Sequence, residues 1–73
     1  MRYIIKAISR ATFQITYFNG YVEQREDGKI SVTNDWTTDR RFATQFAYTQ
    51  ALNSLLDSLR RVMENIDVII EEV

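Results

Sequence analysis

The stretch Thr49-Gln50-Ala51-Leu52-Asn53-Ser54-Leu55-Leu56-Asp57-Ser58-Leu59-Arg60-Arg61-Val62-Met63-Glu64 decides the fold, because its periodicity has one reading. Ala51, Leu52, Leu55, Leu56, Leu59, Val62 and Met63 recur at spacings of three and four. That puts them on one stripe of a 3.6-residue helix. Gln50, Asn53, Ser54, Asp57, Ser58, Arg60, Arg61 and Glu64 fall on the other side. Thr49 is placed to cap the helix, its hydroxyl accepting from a first-turn N–H. Leu52 stands where a capping box needs Glu or Gln, so the cap is a single bond. Asp57 and Arg61 make a favourable i,i+4 pair, and Arg60 and Arg61 lie where positive charge suits the helix dipole. The stripe is wider than the two-in-seven seam of a coiled coil. It therefore reads as a helix packed on a sheet of its own chain, with a coiled-coil seam or a groove-binding helix as the alternative.

The sheet comes from the residues before and after. Tyr3 to Ile8 is rich in β-formers. Ser9 to Thr12 reads as a tight connection. Phe13 to Phe18 alternates, with Phe13, Ile15 and Tyr17 on one side and Gln14, Thr16 and Phe18 on the other. Asn19-Gly20 follows, the pair most often found in two-residue hairpin turns because both tolerate positive φ. Tyr21 to Arg25 is the next strand, Glu26-Asp27-Gly28 a turn, and Lys29 to Thr33 a further strand. Asn34 to Thr38 is turn-like. Asp39 to Ala43 suits one helical turn capped by Thr38. After the helix, Asp67 to Glu72 reads as a last strand, since Asn65-Ile66-Asp67 is a poor helix continuation and Val68-Ile69-Ile70 is β-branched. One helix running from Gln50 to the C terminus is the alternative. Charge favours the strand. Residues 64–73 hold Glu64, Asp67, Glu71 and Glu72 and no base, while Arg2, Lys6 and Arg10 face them from the first strand candidate. Neighbouring strands would pair these charges.

The expected architecture is a single α+β domain over residues 1–73. A small antiparallel or mixed sheet, a meander of three to four strands plus a C-terminal strand, packs on one amphipathic helix. Ile5, Ile15, Ile30, Leu52, Leu55, Leu56, Leu59, Val68 and Ile70 are the expected core.

Composition narrows the chemistry. The 73 residues contain no Cys, His or Pro. That excludes Cys–His and Ser–His nucleophilic machinery and His- or Cys-ligated zinc. The two glycines, Gly20 and Gly28, are isolated and form no phosphate loop. Glu26/Asp27 and Glu71/Glu72 are adjacent carboxylates, and neighbours in a strand point to opposite faces. No cofactor is implied, and the chain is expected not to be an enzyme. The net charge of −1 is neither the footprint of a typical nucleic-acid binder nor the field of a DNA mimic. No apolar run reaches membrane-spanning length, and the first ten residues lack the apolar core of a signal peptide. The expected location is the cytoplasm.

Contact residues are the remaining lead. Trp36 lies within five residues of Arg40 and Arg41, and Trp and Arg are enriched among interface hot spots. With Asp35 and Tyr21 they form the candidate partner-binding set. The competing role for Trp36 is a cap on the core beneath the helix. A second candidate is a sheet face on which Tyr3, Phe13, Tyr17, Phe18, Tyr21, Trp36, Phe42, Phe46 and Tyr48 stack bases beside Lys6, Arg25, Lys29, Arg40 and Arg41. The RNA-binding ribonucleoprotein motif is missing, however. A monomer, or a homodimer built on an edge strand or leftover apolar stripe, is expected.

Trp36-Thr37, then Ala43-Thr44-Gln45-Phe46, then Thr49-Gln50-Ala51-Leu52 form a pattern: Trp, a gap, Ala-x-x-Phe, a capping hydroxyl and an Ala that opens an amphipathic helix. Over Asp27 to Val73 this resembles small accessory proteins encoded by phages and prophages, several of which end in an acidic strand. The resemblance implies a class and no functional residue. Such proteins often bind and inhibit a host or defence protein, so a protein partner in the host cytoplasm is the expectation it adds.

Overall fold

In the computed structural model, residues 1–24 and 26–73 are described; Arg25 and the side chains of residues 22–24, 30 and 32 lie outside that description. The elements are β1 (Tyr3–Ser9), β2 (Ile15–Phe18), β3 (Tyr21–Gln24), β4 (Ile30–Thr33), β5 (Trp36–Thr37), a 3-10 turn (Arg40–Phe42), α1 (Gln50–Val62) and β6 (Ile66–Glu72). β5, β2, β1 and β6 form a four-stranded antiparallel sheet in that order, and α1 packs on one face of it. The fold is α+β.

The two longest pieces are as the pattern predicts. Thr49 caps α1, its hydroxyl accepting from the Leu52 N–H. The helix does not run on to the C terminus. Asn65 takes φ 59°, a left-handed turn that stops it, and the chain returns as β6 along β1. Left-handed backbone suits Asn because its short polar side chain bonds locally. The charge asymmetry also pairs as expected. Lys6 Nζ donates to Glu71 Oε1 at 2.8 Å, and Arg10 donates to Asp67 Oδ1 at 2.7 Å. Among the described residues Asp57 and Arg61 form no ion pair, and the neighbouring Arg60 donates to the Val68 carbonyl. Asp39 rather than Thr38 caps the 3-10 turn, because its carboxylate takes both the Arg41 N–H and the Arg41 guanidinium.

Asn19-Gly20 does not make the predicted hairpin, and the strands do not form one meander. β2 has β1 on one side and β5 on the other, so no edge is left for β3. β5 pairs Trp36 with Phe18, and the Asn19 N–H goes to the Asp35 carbonyl. β3 and β4 instead pair with each other as a separate ribbon. Neither Asn19 nor Gly20 has positive φ. Gly20 serves close approach: an added Cβ would lie 1.8 Å from the Thr33 carbonyl oxygen.

The core lies between α1 and the sheet: Ile5, Phe18, Leu52, Leu56, Leu59 and Val68 are buried, flanked by Leu55 and Ile70. Ile15 was expected there and is 40 % exposed, whereas Phe18 is 0 % exposed. The two sit in opposite parity on β2, and a one-residue change of parity moves every side chain to the other face. Tyr17 pairs with Lys6 and Phe18 with Trp36, which puts Phe18 under the helix. The expected core residue Ile30 has its side chain outside the description, as does the predicted strand end Arg25.

Candidate binding surface

At 100° per residue the stripe on α1 resolves into two lines about 100° apart. Leu52, Leu56, Leu59 and Met63 make one, and the sheet covers it. Ala51, Leu55, Ser58 and Val62 make the other, at spacings of four, three and four. The sheet leaves it open: Leu59 is 3 % exposed and Val62 is 74 % exposed. Leu55, nearest the covered line, is half-buried.

The segment leading into the helix turns this flank into a cleft. The Thr44 N–H donates to the Phe18 carbonyl, and its hydroxyl donates to the Gly20 carbonyl at 2.6 Å. Phe46 then exchanges two 2.8 Å hydrogen bonds with Tyr3, on the side of β1 that β2 has vacated. This fixes the Phe46 ring beside Ala51 and Leu55. Phe46, Ala51, Leu55, Val62 and Asn34 line an apolar cleft of about 540 Å³. A broader hollow of about 750 Å³ at the α1–β6 corner mixes apolar side chains with charged ones, and its Arg10 and Asp67 pair with each other.

The residues singled out from sequence are placed as follows. Trp36 is half-buried, edge-on to Phe18 with ring centroids 5.5 Å apart, and packs against the core. Asp35 accepts from the Trp36 N–H. Arg40 reaches across the helix-free face to Glu71 at 3.6 Å, and Arg41 is held by Asp39 at 2.7 Å. Tyr21 is exposed at the start of β3. The five do not form one surface. Of the aromatics proposed to stack bases, Tyr3 and Phe18 are on the helix-covered face together with Trp36 and Phe46. Tyr17 is on the other face with Lys6.

Charge on the helix-free face is organised around Glu71. Its hydrogen bond from Lys6 holds its pKa below the usual value, with Arg40 adding to the effect. The same bond raises Lys6. Asp39 is lowered by its bonds from Arg41, and Arg10 is raised by Asp67. Lys6, Arg10, Arg40 and Arg41 thus each have an acidic partner in the fold. Among the described residues no group of three or more His, Cys, Asp or Glu side chains is arranged to hold a metal ion.

Of the cleft residues, Ala51 and Val62 were not among the candidates, and Phe46 was named only among the aromatics for base stacking. The signal for Ala51 and Val62 was present in the stripe: it was too wide for one sheet contact, and the two mark its outer edge. Among the described residues no helix is long and apolar enough to cross a membrane. The fold and cleft define a small α+β domain with an open helix flank. No known protein family, curated protein or solved structure matches this chain.

Proposed function

We propose that the protein is a non-enzymatic accessory protein that binds another protein and modulates it, and that the cleft along α1 is the contact surface. The observation that carries this reading is the open line Ala51, Leu55, Ser58, Val62 walled by Phe46. Its four-three-four spacing is the pattern into which a second amphipathic helix packs. The occupant is therefore a helix of the partner, apolar on one face. The likeness of residues 27–73 to phage-encoded proteins supports a host or defence protein as that partner, with inhibition as the outcome.

The test begins with capture from a host lysate and titration of the purified partner against variants. Val62→Arg and Ala51→Arg are at exposed helix positions, so the melting temperature stays within a few degrees of the parent. Each should weaken binding about tenfold or more, about 1.4 kcal/mol. Binding that both variants leave unchanged refutes the cleft as contact surface. Binding that collapses with salt in proportion to added nucleic acid refutes the protein-binding reading itself.

A further inference from the structure

β6 is an edge of the sheet, and its hydrogen-bonding pattern shows which groups face outward. The ladder ends on the bonds Val73 N–H to Arg2 carbonyl and Arg10 N–H to Asn65 carbonyl. In an antiparallel pair, alternate residues point to the neighbour. Asp67, Ile69 and Glu71 therefore bond β1, while the N–H and C=O groups of Ile66, Val68, Ile70 and Glu72 point away from the sheet. Among the described residues one hydrogen bond reaches this row, from Arg60 Nε to the Val68 carbonyl at 3.0 Å. An unpaired row on a seven-residue strand takes another extended strand.

We propose that the occupant is β6 of a second copy, paired antiparallel about a two-fold axis, and that charge selects the register. Three registers engage at least three of the four outward residues. A two-fold centred on Ile69 sets Asp67 against Glu71 of the second copy, twice. Like charges opposite one another destabilise a strand pair. A two-fold at Val68 pairs Ile66 with Ile70 and leaves Glu72 beyond the end of the second copy's strand, so its charge gains no partner. A two-fold at Ile70 avoids the clash and gives Glu72 a partner. It stacks Ile70 on its own copy and puts Glu72 of the second copy across from Val68, on the helix side, where Arg60 already sits. Among the described residues neither Arg60 nor Glu72 has an ion-pair partner. In this register they meet, once on each side of the axis. The Val68 carbonyl has two lone pairs, so it keeps Arg60 and accepts the Glu72 N–H of the second copy. The product is a continuous sheet with both helices on one face. A strand pair is a small contact, so self-association is concentration-dependent.

Sedimentation equilibrium from about 10 μM to about 1 mM tests this, a range suited to weak affinity. The parent chain should pass from monomer to dimer. Arg60→Glu and Glu72→Arg, both at exposed positions, should each weaken the dimer about tenfold or more. The double variant Arg60→Glu/Glu72→Arg should restore it, because the swap recreates both pairs. Far-UV circular dichroism confirms that each variant is folded. Amide exchange should show the Val68, Ile70 and Glu72 N–H groups gaining protection with concentration, while Ile69 and Glu71 are protected throughout. A chain that stays monomeric, a double variant as weak as the singles, or a dimer that Val62→Arg abolishes overturns the proposal. The last outcome would place self-association on the cleft.

Discussion

A truncation series along α1 tests whether its stripe has one covered line and one open line. Leu59 is 3 % exposed within the core cluster, so Leu59→Ala leaves a cavity facing Ile5 and Val68. Buried Leu→Ala changes cost about 2–5 kcal/mol, and a site sealed by a sheet on one side belongs near the middle, about 3 kcal/mol. Leu55 is half-buried and its loss opens no closed cavity, so Leu55→Ala should cost about 1–2 kcal/mol. Val62 is 74 % exposed and helical. Val62→Ala removes little packing and gains helix propensity, leaving stability within about 0.5 kcal/mol of the parent. At roughly 0.05–0.15 kcal/mol per residue, a chain this short has about 4–11 kcal/mol in total. Leu59→Ala therefore removes a large fraction and lowers the melting temperature by about 12–24 °C, at about 4–8 °C per kcal/mol. Urea titration followed by Trp36 fluorescence and far-UV circular dichroism gives the three values, provided the slopes agree. Equal costs at Leu55 and Leu59, or a loss above about 1 kcal/mol at Val62, refute the two-line reading.

Trp36→Ala should lower stability by roughly 2–4 kcal/mol, read by circular dichroism, because the ring stacks edge-on against buried Phe18; a loss under about 1 kcal/mol together with weakened partner binding would make it a contact residue. Acid should destabilise the fold through Glu71 and Asp39. Both are lowered in the folded state from ordinary values of 4.5 and 3.8, so the stability they contribute is fully present above those values and is lost as pH falls through the lower folded ones. Thermal melts from pH 7 downward should stay flat until about pH 5 and then fall, and Glu71→Gln should flatten part of that fall; an unchanged acid limb in Glu71→Gln refutes the role of the Lys6–Glu71 pair.

The parts of the fold most legible in sequence are those in which one periodicity had one explanation. α1 and its Thr49 cap are of this kind. The strand Tyr3 to Ile8 was legible from its β-formers, and β6 from β-branching and charge against the alternative of a continued helix. The pairing of Lys6 with Glu71 was legible from charge, although the two are diagonal rather than opposite: Lys6 faces Ile69 in the register. β2 was legible as a strand, but its core-facing side was not, because each side carries a large apolar residue. Phe13, Ile15 and Tyr17 make one plausible core face, and Phe18 on the other outweighs them only because β5 brings Trp36 beside it. The role of β5 is a long-range fact, and two residues of strand leave no periodicity. Asn19-Gly20 misled for the same reason. The local signal for a turn was sound, but a competing strand held the edge that a hairpin would have used.

The candidate contact residues were chosen by residue type, whereas the structure weighs them by geometry. Trp and Arg are enriched at interfaces, yet each of Trp36, Arg40 and Arg41 already has a partner inside this fold: Phe18, Glu71 and Asp39. A side chain that must leave such a partner to bind another gives up what it gains. Surfaces free to bind are those whose groups the fold leaves unmatched, and here there are two kinds. One is apolar, the line from Ala51 to Val62, which the sheet cannot reach because it spans only one of the two lines on α1. The other is polar, the outward row of β6, which the described residues leave unpaired save at Val68. They lie on different elements and want different partners, a helix for one and a strand for the other. Occupying one therefore does not require vacating the other, and a dimer joined through β6 would present two copies of the cleft on the same side of one sheet. A partner with two matching helices would then bind with an effective concentration set by their spacing, so its affinity should fall in Glu72→Arg even though that residue lies outside the cleft.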